Sequence, residues 1–170
     1  MAETSACPIC AAEDCRERGE RLRDSETLRV LECGHCEHVF LSDFGHVDEA
    51  YFVNDQFLLN KPFIQGVAQR QRHYETENAE RLGRVGPLLV NKRVLDFGCG
   101  AGALLKKIAP VADRVEGLER TAGFRRHLSD EGFLVHETLD QAEGPYDVIL
   151  MFHVLEHLTE PVAAIRGCLD

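Results

Sequence analysis

The sequence predicts an α/β chain: a doubly wound parallel sheet of about four strands, preceded by a small metal-stapled region. Three observations predict it. From Arg93 onward, short apolar runs alternate with helical patterns, the rhythm of βαβ units with right-handed crossovers. The first of those runs leads into Asp96-Phe97-Gly98-Cys99-Gly100-Ala101-Gly102, a glycine-rich turn that opens a helix. Near the N-terminus stand two CxxC pairs, Cys7-Pro8-Ile9-Cys10 and Cys33-Gly34-His35-Cys36, separated by 22 residues.

The paired cysteines come first in the chain. Each CxxC forms a tight knuckle presenting two thiolates, and two knuckles complete a tetrahedral S₄ site. Cys7, Cys10, Cys33 and Cys36 are therefore the expected ligands of a structural zinc, with Cys15, His35 and His38 as substitutes. With four protein ligands no coordination position is left for chemistry. A segment this short and this poor in apolar residues cannot fold on burial alone. A structural zinc supplies about 10–16 kcal/mol in isolated finger peptides. Between the knuckles a small hairpin is expected, with Thr27 to Leu31 as its second strand.

Residues 1–42 thus read as a zinc-ribbon-like region, 43–86 as a connector with a helix, and 87–170 as a partial Rossmann-like domain. Tyr51, Phe52 and Phe57 make the connector aromatic, a candidate flap over a ligand. From Pro62, the spacing of Phe63, Val67, Arg70, Tyr74, Asn78 and Leu82 predicts one helix face, ended by Gly83 and Gly86-Pro87.

In the last region, strand one is Arg93 to Phe97 and its helix runs from about Gly102 to Ile108, stopped by Pro110. Strand two is Arg114 to Leu118. Thr121 is the expected N-cap of the next helix, which runs through Leu128 and which Gly132 ends. Strand three is Phe133 to Val135. Strand four, Tyr146 to Phe152, is an almost continuous apolar run. Thr159 and Pro161 open a last helix through Leu169.

The glycine turn leaves no Cβ between backbone and ligand, and the following helix aims its N-terminal N–H groups at the turn. Glu119 ends strand two, 23 positions after Asp96, so both carboxylates reach the carboxyl edge of neighbouring strands. A carboxylate there can accept both hydroxyls of a ribose. Asp96 projects into the same site. A pyrophosphate would find it repulsive, whereas a cationic sulfonium and ammonium would not, which counts against a nicotinamide-dependent oxidoreductase.

The run Val94 to Gly102, Glu119, and the segment Tyr146-Asp147-Val148-Ile149-Leu150-Met151-Phe152-His153-Val154-Leu155-Glu156-His157-Leu158-Thr159-Glu160-Pro161 resemble the motifs of class I S-adenosylmethionine-dependent methyltransferases. The resemblance implies that Asp96, Gly98, Gly100, Gly102 and Glu119 hold the cofactor, with Leu139 and Asp140 on the adenine side. The order of parts is also similar to bacterial methyltransferases with an N-terminal zinc-binding region, some of which act on nucleotide-linked sugars. Methyl transfer to oxygen or carbon needs a general base. His153, at the mouth past strand four, is the first candidate, with Glu156 and His157 one helical turn further on. Cys99 reads as a packed side chain.

The resemblance also implies seven strands, so the sequence is expected to be a truncated form lacking strands five to seven. Strand four would then be an exposed edge, covered by homodimerisation. The net charge of −10 argues against broad binding of nucleic acid. The absence of a roughly 20-residue apolar span and of an apolar leader predicts a cytoplasmic protein acting on a small-molecule substrate. The competing reading is a non-enzymatic zinc-ribbon module on a degenerate Rossmann-like scaffold; the intact glycine turn counts against it.

Overall fold

The computed structural model describes residues 6–19, 22, 25–43 and 67–168. The connector aromatics Tyr51, Phe52 and Phe57, and the expected helix start at Pro62 and Phe63, lie outside the described residues. Those described form two compact units: residues up to 43 with Leu155–Arg166, and residues 67–154 with the end of the chain.

The first unit holds an antiparallel sheet of order β1-β2-β3, comprising β1 (Cys15–Glu17), β2 (Val30–Cys33) and β3 (Val39–Leu41). Cys15 pairs with Cys33, and Leu31 with Phe40. Cys7, Leu31, Cys33 and Phe40 are its buried core. The hairpin expected around Thr27 to Leu31 becomes three strands, and the second begins only at Val30. The reason is local: the Ser25 hydroxyl accepts the N–H groups of Thr27 and Leu28 at 3.3 and 3.1 Å, folding that stretch into a side-chain-capped turn.

Among its described residues, the second unit begins with two helices, α1 (Val67–His73) and α2 (Glu75–Leu89). The sequence implies one helix, ended by Gly83 and Gly86-Pro87. Instead α2 runs through Gly83, Gly86 and Pro87, across the 86/87 boundary, because Leu82, Val85 and Leu89 all pack into the core cluster. That packing outweighs the poor helix propensity of Gly and Pro.

Four parallel strands follow in the order β6-β5-β4-β7: β4 (Arg93–Phe97), β5 (Arg114–Leu118), β6 (Val135–His136) and β7 (Val148–Leu150). Between them run α3 (Ala103–Ile108) and α4 (Ala122–Asp130); α5 (Pro161–Gly167), last in the chain, groups with the first unit as far as Arg166. This is the doubly wound α/β arrangement that the alternation predicted. Asp96 lies in register with Gly117 on one side and Leu150 on the other. Leu89, Val94, Leu104, Ile108 and Leu150 form the core beside it.

Four details differ from the sequence reading. Strand three begins two residues later than expected, at Val135, and ends at His136. Strand four is three residues long instead of seven and sits at the edge of the described sheet. It begins late because Tyr146 turns its hydroxyl onto Glu116 at 2.9 Å. It ends early because Phe152 lies beneath the Arg81 guanidinium, 4.7 Å from ring centre to carbon. Thr121 occupies the N-cap of α4, but its hydroxyl makes no capping bond. The last helix stops at Gly167.

No helix among the described residues is long and apolar enough to cross a membrane.

Candidate functional site

The glycine turn sits at the carboxyl end of β4, in the middle of the four described strands. Gly98 and Cys99 both donate their N–H groups to the Leu118 carbonyl, at 2.7 and 3.1 Å, which pins the turn to the end of β5. Gly98, Gly100 and Gly102 adopt φ of +78°, +55° and +76°, a region costly to side-chain-bearing residues. Their surroundings differ. A Cβ on Gly98 would lie 2.5 Å from Val154 Cγ2, and one on Gly102 2.3 Å from Leu128 Cδ2, whereas one on Gly100 would meet nothing within 4 Å. Packing demands the outer two glycines, and the middle one borders open space. From outside the sheet, Gln71 on α1 donates to the Ala101 carbonyl at 2.7 Å.

Two carboxylates converge here. Glu119 accepts the Gly100 N–H at 2.9 Å on one oxygen and the Thr121 N–H at 2.7 Å on the other. Asp96 is 3% exposed, and its Oδ2 has no hydrogen-bond partner among the described residues. Burial pushes the Asp96 carboxyl up to about 7; the Arg81 charge pulls against that and Glu119 adds to it. A buried carboxylate oxygen with no partner among the described residues is a place where a cationic group is favoured. Cys99 is buried, with its thiol pushed well above the ordinary range by desolvation. It is a packing residue, as the sequence implied.

His153 follows β7 with φ +55° and is exposed. Its Nε2 lies 2.9 Å from Glu77 Oε1 on α2. The same Glu77 oxygen accepts a bond from Arg81, and the Arg81 Nη1 also donates to Asn78 at 2.9 Å. Sequence reading missed Glu77 and Arg81, since an i,i+4 pair on a helix ordinarily reads as a solvated surface contact. A signal existed for their neighbours. Arg70 and Asn78, buried to 6% and 2% exposure, are polar residues on what the spacing marked as the packed face. Arg70 lies over the Phe124 ring at 5.6 Å and within electrostatic reach of Glu119.

Glu156 and His157 form an exposed 3-10 turn, Leu155–His157, which groups with the first unit. Leu139 and Asp140 lie in the 3-10 turn after β6, Leu139–Gln141, on the opposite side of β5 from Asp96. Leu139 packs toward Gly167, whose added Cβ would lie 3.0 Å from its Cδ2.

The four cysteines meet in the first unit. Cys7, Cys10, Cys33 and Cys36 place their sulfurs within 4.8 Å of one another. Cys7–Cys36 and Cys10–Cys33 are each 3.6 Å apart, close to the roughly 3.8 Å edge of a tetrahedron with 2.3 Å metal–sulfur bonds. The two knuckles are built alike. Ala11 and Glu37, each following the second cysteine, have φ of +58° and +60°. They donate to the carbonyls of Cys7 and Cys33 at 2.9 and 3.0 Å. The N–H groups of Ile9 and His35 point at the sulfurs of Cys7 and Cys33, at 3.5 and 3.4 Å. Of the substitutes, Cys15 turns its thiol to the Ala12 carbonyl at 3.6 Å, and the His38 ring stacks on Phe40.

Comparison with known proteins accords with this geometry. The methyltransferase domain family matches residues 69–168, more than half the chain. The chain belongs to that family. A ubiquinone biosynthesis O-methyltransferase of Shewanella halifaxensis is 33% identical over 93 residues, covering 48% of this chain and 39% of the relative. The Proteus mirabilis protein of the same name is 32% identical over 136 residues, covering 67% and 54%. The chain thus spans less than two thirds of the length of these relatives. Among solved structures, a magnesium protoporphyrin IX methyltransferase from Synechocystis with bound S-adenosylmethionine superposes with a TM-score of 0.52. At 21% identity it covers 74% of this chain and 70% of that one, and it establishes the shared fold.

For a methyltransferase-family chain the cation test is specific. S-adenosylmethionine carries a sulfonium and an ammonium, the charges that the partnerless Asp96 oxygen lacks. The Glu119 oxygens each retain a lone pair beyond their backbone bond. The residues fit the cofactor.

Proposed function

We propose that this chain is the cofactor-binding part of an S-adenosylmethionine-dependent methyltransferase that methylates a hydroxyl oxygen of a small molecule, a class that includes nucleotide-linked sugars. The observation that carries the reading is Asp96: a buried carboxyl whose Oδ2 has no partner among the described residues, beside an open glycine and one strand from Glu119. In this reading Asp96 takes the cationic methionine end. Gly98, Gly100 and Gly102 let the backbone approach it, and Glu119 accepts from the ribose. Leu139 and Asp140 border the adenine.

The cofactor supplies an already activated methyl group, so the chain's task is chiefly positioning, worth up to about 7–11 kcal/mol. A hydroxyl acceptor must also lose its proton. His153, bonded to Glu77, is the proposed general base, with Glu156 and His157 as further candidates. The Cys7, Cys10, Cys33 and Cys36 quartet holds a structural zinc with no position open for chemistry.

Calorimetric titration with S-adenosylhomocysteine tests the reading, with Glu119→Ala as the control. Saturable binding that the substitution weakens tenfold or more, about 1.4 kcal/mol, supports it. A folded, metal-loaded chain that gives no heat overturns it.

A further inference from the structure

We propose that the first unit carries a ligand site of its own: a cavity walled by the first cysteine knuckle, the end of β3 and the start of α5, which binds an uncharged small molecule with a ring-sized apolar body and excludes phosphorylated ones. The site goes beyond the cofactor reading and does not depend on it.

The cavity has a volume of about 400 Å³, inside the roughly 300–1,000 Å³ range of small-molecule pockets. Its three walls come from stretches far apart in sequence that group in the same unit. Each wall is held by bonds that leave its side chains for the cavity. In the knuckle, the Ile9 N–H points at the Cys7 sulfur at 3.5 Å and the Ala11 N–H closes on the Cys7 carbonyl at 2.9 Å. The backbone there is committed to the thiolate, and Pro8 and Ile9 line the cavity. At the end of β3, Ser42 donates its N–H to the Arg29 carbonyl at 2.9 Å, and its hydroxyl accepts the Arg29 N–H at 3.0 Å. That double bond to the neighbouring chain fixes Phe40 and Leu41 as the second wall. The third wall is Thr159, Glu160 and Val162, set by the buried Pro161 between them. The knuckle is therefore a recognition element as well as a metal staple.

The lining decides the ligand class. Pro8, Ile9, Phe40, Leu41 and Val162 make it mostly apolar, and Ile9 is left 42% exposed. An apolar occupant would remove that surface from water without disturbing the buried cluster beneath it. Among the described residues Glu160 is the lining's one acid, and no lysine, arginine or histidine joins it. A phosphate would meet a carboxylate and no compensating cation. A ligand hydroxyl, by contrast, can donate to Glu160 or Thr159.

NMR of the full, zinc-supplied chain with labelled Ile, Leu and Val methyl groups tests this, with 4-methylphenol as the probe. The Ile9 and Val162 signals are expected to shift saturably with one shared dissociation constant. Leu88, 63% exposed in the other unit, should stay still. Uridine diphosphate glucose should move neither wall. Ile9→Glu, read at Val162, should weaken binding at least about tenfold, because it sets a carboxylate against an apolar ligand. Val162→Glu, read at Ile9, should do the same from the opposite wall. An unchanged Leu31 signal, from the unit's buried cluster, establishes that each variant is folded. The proposal is overturned if 4-methylphenol moves neither wall or moves Leu88 equally. It is also overturned if the nucleotide sugar moves the same methyls more strongly, or if both folded variants bind as the wild type does. Titration of the same sample with S-adenosylhomocysteine bears on the cofactor reading alone, so the two can fail separately.

Discussion

Glu119 and Gly100 are joined by a 2.9 Å bond from the glycine N–H to the carboxylate, so the acid at the end of β5 also shapes the turn at the end of β4. Its other oxygen takes the Thr121 N–H at the start of α4. One side chain therefore ties together the three pieces of backbone that border the site. Hydrogen bonds to a charged acceptor contribute about 1.5–3 kcal/mol each. Glu119→Ala is expected to lower stability by about 2–4 kcal/mol in urea denaturation as well as weakening cofactor binding. Glu119→Gln, which retains one acceptor oxygen, should recover part of the stability. An alanine variant as stable as the wild type would show that the turn holds without this carboxylate.

The three glycines separate fold from binding. Gly102→Ala combines a left-handed φ with a Cβ driven into Leu128. Its expected cost is about 2–4 kcal/mol, read as a lower melting temperature. Gly100→Ala meets no atom and should cost only about 1 kcal/mol. It should nevertheless reduce S-adenosylhomocysteine affinity tenfold or more, because its methyl group enters the space left for ligand. Equal melting temperatures for the two variants would remove the distinction.

What is legible in the sequence is the part of the candidate site made by local chemistry. Asp96, the glycines, Glu119 and the cysteine quartet are short-range patterns whose spacing fixes their geometry. Glu77 and Arg81 are not legible there. Their contacts to one another and to His153 depend on where α2 lies against the chain after β7, a tertiary fact with no local signature. The helix also runs past its expected end at Gly83 and Gly86-Pro87 for the same reason, since Leu82, Val85 and Leu89 pack against Val94, Leu104 and Ile108. Arg70 and Asn78 were the legible warning: polar residues at apolar spacing mark a helix that faces a site.

On another face of the sheet, Glu116 is 1% exposed and accepts from Tyr146 at 2.9 Å and His136 at 2.7 Å, with Arg114 at 2.6 Å on its second oxygen. Burial pushes its carboxyl up, but these partners outweigh that and hold it below the ordinary range. The stability it contributes is therefore present above the unfolded value and lost as pH falls through the lowered folded one. Glu116→Ala strands its buried partners and should cost about 3 kcal/mol at pH 7. The gap between variant and wild type should close progressively below pH 4.5. A gap independent of pH would mean that packing alone is lost.

Zinc is expected at one equivalent per chain, released only by a strong chelator or by Cys33→Ser. Because the buried cluster there comprises, among the described residues, Leu31 and Phe40 beside Cys7 and Cys33, metal removal should leave residues 6–43 open to limited proteolysis. Mass spectrometry showing two disulfides and no metal would replace the zinc with a redox role for the quartet.

Asp96 sets the pH dependence of binding. Its carboxyl is raised to about 7, against roughly 3.9 in an unfolded chain. Between those values the folded protein holds a proton that the unfolded one has lost, so the unliganded protein loses stability as pH rises from about 4 to 7. A cationic ligand reverses the balance, because it requires the carboxylate and must displace that proton below pH 7. Affinity for S-adenosylmethionine should therefore fall by up to about tenfold between pH 7 and pH 6, with proton release visible in buffers of different ionisation enthalpy. Asp96→Asn should bind more weakly at pH 7 and show neither effect. A pH-independent wild-type affinity over that range would mean that the cation does not sit against Asp96, and the carboxyl would then be a structural acid kept neutral by its surroundings.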